Sequence, residues 1–318
     1  MKERILSVLS QIDFALESAI HKDKILYAFL ITLFIIALAI RIHFSFIIPI
    51  IREDALAYLS KAEEILQGNF TPLLTRGIGL SIWESIFILL LGSGELLKDI
   101  SIVKALSAIT GTLLFIPIAL ISKKLFNRNV MIISVLLFTF QPWLIKNTAS
   151  AYTEPLFTLT ILITFYFLLK STDHRYYLVL ASVVASFSYW VRPNGILLLP
   201  ILLTYAILIR RDIPKWENRY IVYIVFTFIT VSFPHLWLRW LEYGSPTYYG
   251  AASHYFAESY EQAISPNYEG QSIFQFLATH SPLYVVKREI IGLVRTINAV
   301  TSNMLIPTVV FAIIGLIY

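Results

Sequence analysis

A succession of long apolar runs joined by polar links constrains this chain more than any other feature. The runs cover residues 25–48, 102–121, 130–145, 155–169, 177–190, 194–209, 220–241 and 303–318. A helix needs ~20 apolar residues to cross a bilayer. Inside hydrocarbon every backbone N–H and C=O must find its partner within the segment, which favours helices. The pattern predicts an all-α polytopic membrane protein. Composition agrees: of 318 residues, 57% are hydrophobic and 14% charged, and mean hydropathy is +0.72. That leaves too little polar surface for a soluble fold. The chain has no cysteine, which excludes disulfides, thiolate nucleophiles and Cys-ligated metals. The net charge of +5 is no sign of a nucleic-acid partner, because Lys and Arg in a multi-pass chain mark cytoplasmic links.

Those basic links set the topology. The run at 78–91 has only about 14 residues, short of the ~20 of a crossing, and carries Glu84 in its middle. If it crossed, the link holding Lys123, Lys124 and Arg128 would lie outside. If it lies on the outer surface, links 122–129, 170–176 and 210–219 fall inside together with Lys2, Arg4, Lys22 and Lys24. The positive-inside bias selects the second arrangement. It predicts a cytoplasmic amphipathic segment over 1–24, which lacks a signal-peptide cleavage pattern. A transmembrane module over 25–241 follows, including an outer loop over 49–101. A second outer loop then spans 242–302, and a terminal transmembrane segment spans 303–318. The protein is therefore expected in the cell membrane, multi-pass, with a cytoplasmic N-terminus.

The outer loop is expected to hold two juxtamembrane helices, over 54–67 and 79–91. In the first, Ala55, Leu59, Ala62 and Leu66 repeat at helical spacing, which makes one apolar face. Asp54, Tyr58 and Lys61 share a neighbouring face. A second outer segment, 147–153, leads into Glu154-Pro155, and a third outer turn holds Arg192-Pro193-Asn194-Gly195. Asp54, Glu154 and Arg192, far apart in sequence, thus reach one side of the membrane. The last outer loop is rich in tyrosine, either an aromatic belt or a set of rings to stack on sugar faces.

This order of elements resembles the GT-C superfamily of glycosyltransferases. It runs Asp-x-x-x-Tyr-x-x-x-Ala after the first span, an apolar surface helix, acid-Pro at the head of a span, then Arg-Pro-x-Gly. Within that superfamily the chain is similar to the branch of dolichyl-phosphate-mannose protein mannosyltransferases and lipid A aminoarabinose transferases, over about residues 25–260. The resemblance implies a GT-C-like helix bundle with outer-face juxtamembrane helices. It also implies transfer of a sugar from a polyprenyl (dolichyl) phosphate to a protein, glycan or lipid acceptor on the extracytoplasmic side. Asp54 matches the first-loop catalytic aspartate, Glu154 a second acidic position, and Arg76 a basic residue at the donor phosphate. Many members carry Asp-Glu where this chain has Glu53-Asp54, so Glu53 is a rival to Asp54. Related members carry Lys-Pro-Pro or Arg-Pro-Pro where this chain has Arg76-Gly77-Ile78. The chain is short for the family and ends inside an apolar run, as a truncated or minimal version would.

The chemistry asks for these residue types by itself. Sugar transfer from a phosphate carrier is a displacement at the anomeric carbon, and an in-line displacement inverts it. Arginine stabilises a departing phosphate through paired N–H donors, a role for Arg76 and Arg192. The attacking hydroxyl needs a carboxylate base, worth ~10²–10⁴-fold, a role for Asp54. Tyr58 is read as substrate-binding. No His/Asp spacing demands a metal, so no cofactor is expected beyond the lipid-linked sugar, which is a substrate.

Each residue also has a plainer reading. Glu53, Asp54 and Glu154 suit helix N-termini, Pro155 suits a first turn, and Arg192 can snorkel to headgroups. Arg41 and His43 read as interface anchors with donor contact as the alternative, and Glu84 as solvated or paired. Asn69-Phe70-Thr71 is a glycosylation sequon. Two other function classes compete. A transporter or flippase predicts ionisable groups in mid-span, whereas the acids here gather at one face. A non-catalytic membrane subunit predicts that removing Asp54 changes no transfer.

Overall fold

The computed structural model describes residues 2–47, 53–209, 217–247, 256–257, 262 and 273–303. The described part is α-helical with one short 3-10 turn and no strand. Its helices are α1 (Lys2–Ile47), α2 (Glu53–Leu66), α3 (Gly79–Leu91), α4 (Leu96–Leu113), α5 (Phe115–Leu125), α6 (Arg128–Phe140) and α7 (Pro142–Thr148). Then come α8 (Thr153–Lys170), α9 (Tyr176–Val191), the 3-10 turn Pro193–Leu197, α10 (Leu198–Leu208), α11 (Arg219–Tyr243), α12 (Ile273–Thr279) and α13 (Pro282–Asn303).

Segments long and apolar enough to cross a bilayer are Lys24–Ile47, Leu96–Leu125, Thr153–Lys170 and Arg219–Tyr243, and α6 with α7 makes a fifth if that bent pair is one span. The all-α polytopic membrane class is what the sequence predicts. The run expected at 102–121 is longer in the structure, reaching back to Leu96 and forward to Leu125. Its ladder breaks at Leu114, where Pro117 lacks the N–H that residue 113 would receive. Runs 177–190 and 194–209 form shorter apolar helices, Tyr176–Val191 and Pro193–Leu208. Both helices expected in the first outer loop are present as α2 and α3. The span expected at 303–318 lies outside the described residues from 304 onward.

Most of the packing places elements around α9. Small residues Ala181, Ser182, Ala185 and Ser186 are fully buried along it, letting neighbouring backbones approach closely. Ser182 donates to the Ile224 carbonyl of α11 at 2.7 Å and Ser186 to Phe228 at 3.2 Å. Ser188 donates to Thr160 of α8 at 2.7 Å. A second apolar cluster joins α1 to α5 and α6 through Leu26, Leu33, Phe115, Met131, Val135 and Phe138.

The α6–α7 pair bends by 60° because Pro142 has no N–H for the Phe138 carbonyl four residues before it. Arg41 of α1 supplies the missing donor. Its guanidinium is fully buried, donates to Phe138 at 3.0 Å and to Ala37 at 3.1 Å, and lies 4.3 Å from the Phe138 ring centre. Arg41 is thus a structural donor and not the interface anchor read from sequence. His43 is exposed and packs edge-on to Phe44.

Candidate active site

Two ion pairs face one cavity of about 520 Å³. Asp54, in the first turn of α2, is paired with Arg76. Glu154, in the first turn of α8, meets Arg192 at 3.2 Å. Asp54, Tyr58, Arg76, Glu154 and Arg192 all line this cavity, with Thr75, Tyr152, Thr153, Asn194 and Thr247 among its other walls. Five residues singled out in sequence are therefore brought together. Glu53 begins α2, but its side chain lies outside the described residues.

The loop after α2 reaches the cavity by close backbone contact. A Cβ on Gly77 would meet the Trp190 carbonyl oxygen far inside van der Waals distance, and one on Gly79 would lie 2.7 Å from Trp190 C. Only glycine fits such an approach. The Gly77-Ile78-Gly79 stretch therefore seats Arg76 against the end of α9, just before Arg192. The Arg-Pro-Asn-Gly turn folds back in the same way, since a Cβ on Gly195 would lie 2.4 Å from Tyr189 N.

Tyr58 is 6% exposed and sits under Arg76, whose guanidinium carbon is 5.6 Å from the ring centre. Burial pushes the Tyr58 hydroxyl up to about 12, against the pull of Arg76, Arg192 and a hydrogen bond with Thr153. At neutral pH it is a neutral phenol, unable to act as a base. Lys61, grouped with it in sequence, is turned away, buried and paired with Glu64 at 2.6 Å. Ala151, two residues before α8, holds φ = 54°, a left-handed conformation that costs a non-glycine residue ~1–3 kcal/mol. Its methyl is buried among Ala55, Leu59 and Val103, so packing holds the bend that aims Glu154 into the cavity.

Of the two readings of Glu84, solvated or paired, the structure overturns the first. Glu84 is 1% exposed in a second, small cavity between α3, α4 and α8, beside Ser107, Thr110 and Leu156. Burial raises its carboxyl well above the usual range. Arg239 goes unnoticed in sequence, and Tyr243 reads there only as one of the loop tyrosines, for an aromatic belt or for stacking on sugar faces. Both reach back to the loop before Arg76: Arg239 donates to the Leu73 and Leu74 carbonyls at 3.0 and 3.2 Å, and Tyr243 to Pro72 at 2.5 Å. The signal available was a charge close to the end of an apolar span.

Among the described residues no three acidic or histidine side chains cluster closely enough to hold a metal ion. What the cavity offers is two cations and two carboxylates that can trade partners with an anionic ligand.

Residues 85–238 match the family model described as dolichyl-phosphate-mannose-protein mannosyltransferase. The match is to a GT-C-type family and supports the resemblance read in the sequence. The GT-C resemblance covers α3 from Ser85 through most of α11, and includes the Glu154 and Arg192 half of the cavity. The match supports a membrane glycosyltransferase of the polyprenyl-phosphate-sugar class in general. The GT-C match begins after Asp54 and Arg76, so that half of the cavity is tied to the family region by geometry alone. No curated protein matches the chain.

Proposed function

We propose that the chain transfers a hexose from a polyprenyl (dolichyl) phosphate to an acceptor hydroxyl on the extracytoplasmic face, with inversion and with Asp54 as general base. The observation that carries this reading is the pairing of Asp54 with Arg76 across the cavity from Glu154 with Arg192. In the resting site Arg76 holds the base. The Asp54 side chain is 59% exposed and that of Arg76 30%, and pairs so accessible are worth only ~0–1 kcal/mol. A donor phosphate offers Arg76 a better, bidentate partner and displaces Asp54. The freed carboxylate then accepts the acceptor's proton as its oxygen bonds to the anomeric carbon. The bond from that carbon to the phosphate oxygen breaks, and its electron pair stays on the phosphate between Arg76 and Arg192. Glu154 orients the acceptor, Tyr58 borders the cavity as a hydrogen-bonding wall, and no divalent metal is needed.

The charges at the span ends support this reading over a transport path. Arg41 and Arg239 are both fully buried and bound to backbone carbonyls.

The test uses membranes containing the protein and radiolabelled polyprenyl-phosphate mannose or glucose. Wild type should move label to an acceptor with EDTA present, and Asp54→Asn should lose ~10²–10⁴-fold of the rate. The same variant should bind polyprenyl phosphate more tightly than wild type, because Arg76 is released. Equal transfer by both proteins would remove Asp54 from the mechanism, and weaker phosphate binding by the variant would refute the exchange of partners.

A further inference from the structure

The loop carrying Arg76 has no regular structure between Gln67 and Ile78, yet an arginine serving a phosphate must sit at a fixed height in the cavity. The C-terminal turns of α11 supply the restraint. Arg239 is fully buried, and a guanidinium taken out of water must be satisfied by partners. Arg239 donates to consecutive carbonyls, Leu73 at 3.0 Å and Leu74 at 3.2 Å, three and two residues before Arg76. Its guanidinium carbon also lies 5.1 Å from the ring centre of Tyr243, whose hydroxyl takes the Pro72 carbonyl at 2.5 Å. The far side of the loop is seated on Trp190 and Val191 through Gly77 and Gly79. Trp190 is itself fixed to α11, donating to Val231 at 3.0 Å, with its ring 5.4 Å from that of His235. Both ends of the loop around Arg76 are thus referred to one helix.

We propose that Arg239 and Tyr243 are positioning residues for donor binding: their bonds to three consecutive carbonyls hold Arg76 where it faces Arg192 across the cavity. The inference rests on the proposed donor reading for its kinetic consequence but not for its structural one. Neither residue touches substrate. A lysine cannot reproduce the fork, so Arg239→Lys keeps the charge and loses the paired geometry. Tyr243→Phe removes a single hydroxyl and keeps the ring.

Two measurements decide it. Because the chain has no cysteine, a spin label at Leu74→Cys reports on this loop alone. Its spectrum should sharpen, showing faster motion, in Arg239→Lys and Tyr243→Phe while the melting temperature of the bundle stays within a few degrees. An unchanged spectrum overturns the proposal. In transfer assays each variant should raise the donor KM ~10-fold or more with kcat and acceptor KM nearly unchanged. In an Arg76→Ala background the same substitutions should add nothing further. A loss that persists without Arg76, or that falls on kcat alone, assigns the two residues a merely structural role and overturns the positioning one. If wild type transfers no label from any polyprenyl-phosphate sugar, the donor reading fails, and the spin-label result still decides whether α11 holds the loop.

Discussion

Glu84 shows what burial does to an acid beside the site. Its place in an apolar outer helix reads as a solvated or paired charge, and α4 and α8 cover it. A carboxyl raised by burial binds its proton more tightly in the folded chain than in the unfolded one. The stability it contributes is therefore complete below ~pH 4, the unfolded value, and is lost as pH rises toward its own raised one. Glu84→Gln keeps the shape of the neutral acid. It should melt within a few degrees of wild type at pH 5 and above it at pH 8, measured by thermal unfolding in detergent. A variant that melts well below wild type at pH 8 would mean that Glu84 is ionised there. Asp54, Glu154 and Arg192 were legible because the positive-inside count put them on one face. The opposite fate of Lys61 and Glu84 was not legible, since helical spacing marks a face without saying what packs on it.

At the scale of elements, the loop from 72 to 79 decides the geometry of the cavity, and its glycines are its most constrained residues. Gly77→Ala would push the loop off the Trp190 and Val191 carbonyls, because the added methyl overlaps backbone that cannot yield. It should raise the donor KM at least as far as Arg239→Lys does and cost ~1–3 kcal/mol of stability, read by transfer assay and thermal unfolding. Wild-type donor affinity in that variant would sink the seating argument. The glycines were visible in sequence as a departure from Arg-Pro-Pro. Their purpose was not, because a close approach between residue 77 and residue 190 depends on tertiary structure. The ladder break before Pro117 and the bend at Pro142 follow from missing N–H groups that can be counted in the sequence. That Arg41 serves the second of them depends on the tertiary contact between α1 and α6.

For the whole molecule, the helix order and class were readable from hydropathy, since spans announce themselves by length and apolar content. Their ends were not, as shown by the stretch from Leu96, read as outer loop and found within a continuous apolar pair. The side of the membrane on which the cavity opens is a matter of topology, and the absence of cysteine makes it measurable one site at a time. Thr75→Cys should react with a membrane-impermeant maleimide in intact cells, whereas Lys123→Cys should react only after lysis. Labelling of both from outside would mean that the segment between α3 and α6 does not cross. Labelling of Lys123→Cys alone would invert the whole arrangement.

The ion pairs in the resting cavity also bear on which phosphates the site will notice. A carboxylate tethered on α2 is present beside Arg76 at a high effective concentration, and any anion must outcompete it there. A phosphate dissolved in the surrounding water meets that tethered rival at its bulk concentration. Under the proposed function, one anchored in the bilayer by an isoprenoid is confined to a thin layer beside the cavity and arrives already concentrated. On that reading the self-supplied anion is a threshold that favours cargo delivered along the membrane over cargo arriving from solution.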